Sequence, residues 1–282
     1  MTDAALQPIL ALFGHPVAAN PTQYMMEKAF AHHGMDCRFL TLEVAPEHLA
    51  DAIRGMRAMN FLGAVCADPH KQAVIPLLDR TTDSATLCGA VNCISRQEGQ
   101  LTGDSTEGKG MLQALRALVD PAGKRVVLLG AGRVARAIAV ELALAGAAEI
   151  IIVNRTLRKA AHLADLLTAR LQATASAVAW EGEFLVPGET DLLIHATSAA
   201  ADDPDRRLPL CLDTLPSDAV VADVTLNPPQ TPLLSEAEGR GCRAVDGLEM
   251  FIQHSLIGLK TWTGMEADRT VMREAVEEFL LL

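Results

Sequence analysis

Aromatic side chains are scarce, 4% of 282 residues, and no block of five or more like charges occurs anywhere in the chain. The first absence removes a stacking platform for nucleic-acid bases. The second, together with a formal net charge of −11, removes the basic footprint that a polyanion or an anionic membrane surface requires. No apolar run approaches the roughly 18 residues of a membrane span. Positions 1–14 carry neither a basic stretch nor a cleavage signal, so a cytoplasmic protein is expected, with no nucleic-acid and no membrane partner. Six cysteines are present (Cys37, Cys66, Cys88, Cys93, Cys211, Cys242), never as Cys-x-x-Cys or Cys-x-x-His. That excludes the usual zinc spacing and a disulfide framework, and no metal site is expected. Internal repeats and low-complexity tracts are also missing.

What remains is a chain half hydrophobic by composition, long enough for two domains. Pro8–Phe13 reads as a buried strand, Tyr24–His33 as a helix, Arg38–Val44 as a strand, Pro46–Met59 as an amphipathic helix and Gly63–Ala67 as a short strand. The rhythm resumes with strands at Arg125–Leu129, Glu149–Val153, Asp191–Ala196 and Ala219–Val224. Strands alternating with helices predict parallel βαβ units. The run Gly103–Gly110, with three glycines, reads as the boundary between domains, and Gly247–Leu282 as largely helical.

One stretch carries specific chemistry. Val126–Leu129 is an apolar strand, Gly130-Ala131-Gly132 a tight turn, and Arg133, Val134 and Ala135 open an alanine-rich helix. Gly130 permits the turn, Gly132 lets a pyrophosphate approach the backbone, and Ala135 lets helix and strand pack closely. The helix N-terminus supplies unpaired N–H groups to phosphates. At the end of the next strand, Asn154-Arg155-Thr156 offers no acid for a ribose 2′-hydroxyl, and Arg155, Arg158 and Lys159 cluster instead. Guanidinium and ammonium groups suit a 2′-phosphate, so the residues point to NADP rather than NAD.

Gly14-His15-Pro16-Val17, Pro69-His70-Lys71, Gly89-Ala90-Val91-Asn92, the glycine-rich turn, Asn154-Arg155-Thr156, Ala196-Thr197-Ser198, Asn227–Leu234 and Asp246-Gly247-Leu248-Glu249-Met250 follow one another in an order that resembles the shikimate dehydrogenase family. The resemblance spans nearly the whole chain. It implies an α/β substrate-binding domain (residues 1–106), a Rossmann-type, doubly wound NADP domain (107–245) and C-terminal helices (246–282) returning to the first domain. It further implies Lys71 and Glu107 as the catalytic pair and Asn20, Ala67, Asn92 and His254 at the substrate. For the cofactor it adds Thr197, Ser198, Val224, Gly247 and Met250 to the turn residues, Asn154, Arg155, Thr156 and Lys159. The partner implied is a small-molecule hydroxy acid, and the assembly a monomer or homodimer.

The chain departs from the family where the substrate sits. The segment after Gly-x-Pro, which in the family contains a His-Ser-x-Ser-Pro run, is here Ala18-Ala19-Asn20-Pro21, two residues shorter and without either carboxylate-binding hydroxyl. Asn-Val-Thr before Pro69 becomes Val65-Cys66-Ala67, the Asp following Asn-Thr becomes Glu107, a Tyr becomes Leu226, and a Gln becomes His254 next to Gln253. His195 replaces an Asn and is expected near the cofactor; His15 and His70 are expected near the substrate. Each lost polar contact costs about 1–3 kcal/mol, so these changes argue against shikimate itself. Three readings follow: an NADP-dependent oxidoreductase acting on a different small hydroxy acid, an NADP-binding sensor or partner protein without catalysis, or, less favoured, an enzyme of the same fold using NAD.

Overall fold

The computed structural model describes residues 6–197 and 207–282, and the counts and absences below refer to these. The chain divides into two compact units, Met1–Thr106 with Ser255–Leu282, and Glu107–His254.

The first unit runs β1 (Ile9–Gly14), α1 (Thr22–His32), β2 (Arg38–Glu43), α2 (Leu49–Ala58), β3 (Gly63–Cys66), α3 (His70–Ala73), β4 (Arg80–Thr81), α4 (Asp83–Cys88), β5 (Cys93–Gln97) and β6 (Gln100–Asp104). Its six-stranded sheet has the order β2-β1-β3-β5-β6-β4. β1 is parallel to β2 and β3, but β5 runs antiparallel to β3 and β6. The sheet is therefore mixed, where strand–helix alternation predicts a parallel one. Between β5 and β6 the chain reverses in a two-residue hairpin: Gln97 pairs with Gln100, and Glu98 and Gly99 both have positive φ, 51° and 80°, the backbone twist of a type I′ turn. Buried Ala11, Phe13, Ala64 and Ile94 of the sheet pack with Ile53 and Met56 of α2.

The second unit runs α5 (Glu107–Arg116), β7 (Arg125–Leu129), α6 (Arg133–Leu144), β8 (Glu149–Asn154), α7 (Leu157–Leu171), β9 (Ala175–Ala179), β10 (Phe184–Leu185), β11 (Leu192–His195), β12 (Leu210–Cys211), β13 (Val220–Asp223), α8 (Pro232–Gly239), β14 (Arg243–Val245) and the start of α9 (Gly247–Thr263). Its six parallel strands are ordered β14-β13-β11-β7-β8-β9, the doubly wound Rossmann arrangement, whose order reverses between β7 and β11. β10 and β12 form a separate parallel pair. β11 and β13 are buried along their whole length, and both are apolar until their last residues, His195 and Asp223.

The glycine-rich segment at the first boundary is structured, and the second boundary shifts. Gly103–Gly110 is not a linker: β6 extends to Asp104, and Gly108 and Gly110 lie inside α5. The second boundary falls between His254 and Ser255 rather than at 245/246, because α9 is one continuous helix whose first turns pack on α5. A Cβ on Gly110 would lie 2.7 Å from both Met250 O and His254 Cβ. From Ser255 on, the chain belongs to the first unit. There the Trp262 indole N–H donates to Ile94 O at 2.8 Å, in space that Gly63 leaves by lacking a side chain. Helix α10 (Arg269–Leu280), capped by Asp268, lies on α1 through Lys28–Glu278 at 3.1 Å and the Tyr24 and Phe279 rings. No described helix is long and apolar enough to cross a membrane.

Candidate active site

In the first unit the candidate residues gather at the C-terminal ends of β1 and β3. Small residues meet there: a Cβ on Gly14 would lie 3.0 Å from Ala67 Cβ. After cis Asp68-Pro69 the short helix α3 begins, carrying half-buried Lys71. The Lys71 carbonyl accepts the Val91 N–H at 2.7 Å, which ties the lysine to the segment holding Asn92. Burial pushes the neighbouring Cys66 thiol up to about 12, against the opposing pull of the Lys71 ammonium. Cys66 is thus a neutral core thiol, and buried Cys93 is likewise part of the core.

Three predicted polar residues have uses of their own. Asn20 Oδ1 accepts from the Thr22 N–H and hydroxyl at 2.9 and 2.6 Å, which leaves the amide N–H groups as its donors. Asn92, only 4% exposed, donates to Thr106 Oγ1 and accepts the Thr106 N–H at 2.9 and 2.6 Å, pinning the residue that directly precedes Glu107. His70 is a satisfied core histidine: its Nε2–H donates to Val44 O at 2.7 Å. His15 Nδ1 stands 3.1 Å from Glu43 Oε1, both side chains about half exposed. Ala18 and Ala19 are exposed and present only methyl groups.

In the second unit Glu107 opens α5, which is pressed closely against its neighbours. A Cβ on Gly108 would sit 2.1 Å from the Ala137 carbonyl oxygen of α6, backbone that cannot move aside alone. Gly108→Ala is expected to destabilise the protein by about 3 kcal/mol, the upper range for overpacking, read as a lower denaturant midpoint. An unchanged midpoint would show that α5 is free to shift. His254 follows one turn after Met250 on α9 with its ring edge-on to Phe251, centroids 5.1 Å apart, whereas Gln253 donates to Glu249 of its own helix at 2.8 Å.

The glycine-rich turn is tight at its first glycine and open at its second. Gly130 has φ +119°, and a Cβ there would lie 2.5 Å from Ala196 O, so only glycine fits. Around Gly132 a Cβ would meet nothing within 4 Å. Gly132 caps α6 without any side-chain bond, and buried Ala135 brings the helix onto the sheet. Both features suit phosphate oxygens. Val224 and Gly247 come together, a Cβ on Gly247 being 2.2 Å from Thr225 O. Asn154 donates to Thr156 O at 3.0 Å.

Beside the turn lies a cavity of about 380 Å³ lined by Ala131, Arg136, Arg158, Lys159, His162, Leu163 and Leu166. Ala131 and Lys159 were predicted; Arg155 is exposed and does not line it. Arg136 and His162 escaped the sequence reading, and Arg158 was seen only as part of a cluster. Their signal is helical spacing: Arg158 and His162 are four apart on α7, and Arg136 lies one turn beyond Gly132. Ser198 falls outside the described residues, while Thr197 reaches the turn, its Cγ2 3.2 Å from a Cβ on Gly130.

Residues 12–94 match the family model of a shikimate dehydrogenase substrate-binding domain and residues 113–202 that of shikimate/quinate 5-dehydrogenase. An NADP+-dependent shikimate dehydrogenase of Methanopyrus kandleri is 38% identical over 96% of either chain. Among solved structures, a shikimate dehydrogenase in complex with NADP+ is 32% identical, with a TM-score of 0.88 over 97% of this chain and 96% of that one. The ligand-free 5-ketofructose reductase of Gluconobacter sp. strain CHM43 is 46% identical, with a TM-score of 0.95 over 97% and 99%.

Proposed function

The chain belongs to the shikimate dehydrogenase family, NADP-dependent oxidoreductases, and from that premise we propose that it reduces the ketone of a small, uncharged polyhydroxy compound of the 5-ketofructose class rather than turning over shikimate. The observation that carries this is the 46% identity to a 5-ketofructose reductase across essentially the full chain, above the 38% and 32% to the two shikimate dehydrogenases. The substrate-side substitutions support it. Ala18 and Ala19 remove the hydroxyls that would hold a carboxylate, and Val65, Ala67 and Leu226 remove further polar partners. Asn20 brings neutral N–H donors, which suit a hydroxyl better than they replace two serines around an anion.

The proposed chemistry is direct. NADPH, when bound, supplies the hydride for the carbonyl carbon. The Lys71 ammonium donates a hydrogen bond to the ketone oxygen, stabilises the negative charge growing there, and gives up the proton that completes the alcohol. Glu107 is proposed as the acidic member of the proton-handling pair, and Asn92 acts by holding Thr106 and so the entry to Glu107. Gly130, Gly132 and the first turn of α6 hold the diphosphate, and the cations of the α7 cavity the 2′-phosphate.

Purified protein given NADPH and 5-ketofructose, against NADP+ with shikimate or quinate, tests this through absorbance of the reduced nicotinamide. The expected kcat/KM for the ketone exceeds that for shikimate by about 10³-fold, the sum of a few lost contacts. Comparable kcat/KM for shikimate would overturn the reading.

A further inference from the structure

The described reaction leaves unused the two polar residues that end apolar strands of the second unit. His195 closes β11 and Asp223 closes β13, opposite each other in register; their side chains are 1% and 2% exposed. His195 Nδ1 lies 3.0 Å from Asp223 Oδ2, close but off the linear N–H direction, so it makes no well-aligned hydrogen bond. On the other side, His195 Nε2 and Thr197 Oγ1 are 2.6 Å apart.

The direction of each proton follows from Asp223. Its Oδ1 accepts the Thr225 N–H and hydroxyl at 3.0 and 2.7 Å, and its Oδ2 the Thr231 hydroxyl at 2.9 Å. Burial alone would raise this carboxyl, yet His195 and Thr225 outweigh burial and hold it below the usual range. An ionised carboxylate only accepts, so the ring nitrogen facing it carries the hydrogen. In a ring with a single N–H, that hydrogen on Nδ1 leaves Nε2 as an acceptor, and the Thr197 hydroxyl donates its proton to it.

We infer that His195 and Asp223 are a positioning pair that turns the Thr197 proton inward, so that Thr197 meets NADP(H) with lone pairs and holds a donor group of the cofactor, a ribose hydroxyl or the nicotinamide amide. Lone pairs repel phosphate oxygens, so the residue beside the glycine turn adds nothing to the diphosphate grip, which falls to backbone N–H groups. The inference rests on the reading above that Thr197 stands at the cofactor.

Two measurements on the full chain test it. In the ligand-free protein, ¹⁵N spectra of labelled histidine should show His195, identified by its loss in His195→Asn, as the Nδ1–H tautomer. Asp223→Asn, whose amide can donate to Nδ1, should move the proton to Nε2, the tautomer swap known for the corresponding substitution in a serine protease triad. In fluorescence titrations, Thr197→Val and Asp223→Asn should each weaken NADPH binding about 10-fold, Thr197→Ser should retain it, and Thr197→Val in the Asp223→Asn background should add less than about twofold. A cofactor analogue with acetyl in place of the carboxamide assigns the donor: a Thr197→Val effect that persists identifies a ribose hydroxyl, and one that vanishes identifies the amide. An Nε2–H tautomer in the wild type, or Thr197→Val affinity within about twofold of wild type, overturns the inference. Thr197→Val leaves the Asp223 contacts intact, so it decides the matter even if Asp223→Asn unfolds. A wild-type protein that fails to bind NADPH would instead overturn the cofactor reading on which this depends.

Discussion

Lys71→Ala is expected to lower kcat for ketone reduction about 10³-fold while NADPH affinity stays within about twofold, as the role proposed for the lysine at the substrate oxygen requires. The position supports both halves of this split. Lys71 sits on α3 of the first unit, its carbonyl held by the Val91 N–H, so truncating the side chain leaves the backbone anchored. Its ammonium is close enough to buried Cys66 to pull the thiol against burial, which places the charge at the end of β3, the strand that carries Ala67 after it. Lys71→Arg should not rescue the activity. A guanidinium keeps the positive charge but holds its proton far too tightly to pass it to an alkoxide. Initial rates at saturating NADPH, with a separate binding titration, check the prediction. Lys71→Ala activity within about 10-fold of wild type would remove Lys71 from the chemistry and favour a cofactor-binding role without catalysis.

Residues that obey a strict local pattern were readable from the sequence. The glycine-rich turn is one: strand, turn and helix must all be present, and the structure has all three, with Gly130 at φ +119° and Ala135 fully buried. The doubly wound order of the second unit follows from buried apolar strands that need helices on both faces. The β5–β6 hairpin was not readable. Cys-Ile-Ser-Arg-Gln and Gln-Leu-Thr-Gly-Asp mix polar and apolar residues without clear alternation, and the turn uses Glu98 at positive φ, where Asn or Asp is the stronger signal.

Glycine misled the reading of the segment at the domain boundary for a related reason. Gly108 and Gly110 signal a linker in sequence, but they serve helix contact: one gives way to the Ala137 carbonyl, the other to Met250 and His254. Only the neighbouring backbone distinguishes a glycine chosen for flexibility from one chosen for size. His195 shows the opposite limit. Its place before Ala196-Thr197 puts it near the turn, yet the meaning of the histidine depends on Asp223, 28 positions later by numbering and adjacent only through strand register.

The cofactor preference offers the second large effect. Arg158→Ser with Lys159→Ser is expected to weaken NADPH binding about 10²-fold and leave NADH binding nearly unchanged. Both side chains are exposed on the first turn of α7 and line the cavity with Arg136 and His162. A 2′-phosphate carries close to two negative charges, and each charge-assisted hydrogen bond contributes about 1.5–3 kcal/mol, so removing two cations costs at least two powers of ten even if Arg136 compensates in part. Stability should hold, since exposed surface changes fall within about 0.5 kcal/mol. The loss should shrink as salt is raised, because screening already weakens the wild-type contacts. Arg155→Ala gives the internal comparison. Sequence places Arg155 first among the candidates, directly after Asn154, but it does not line the cavity, so its removal should cost far less than the Arg158 and Lys159 pair. Titrations of NADPH and NADH against the three proteins decide between them: if Arg155→Ala matches or exceeds the double variant, the 2′-phosphate is held at the strand end rather than in the α7 cavity.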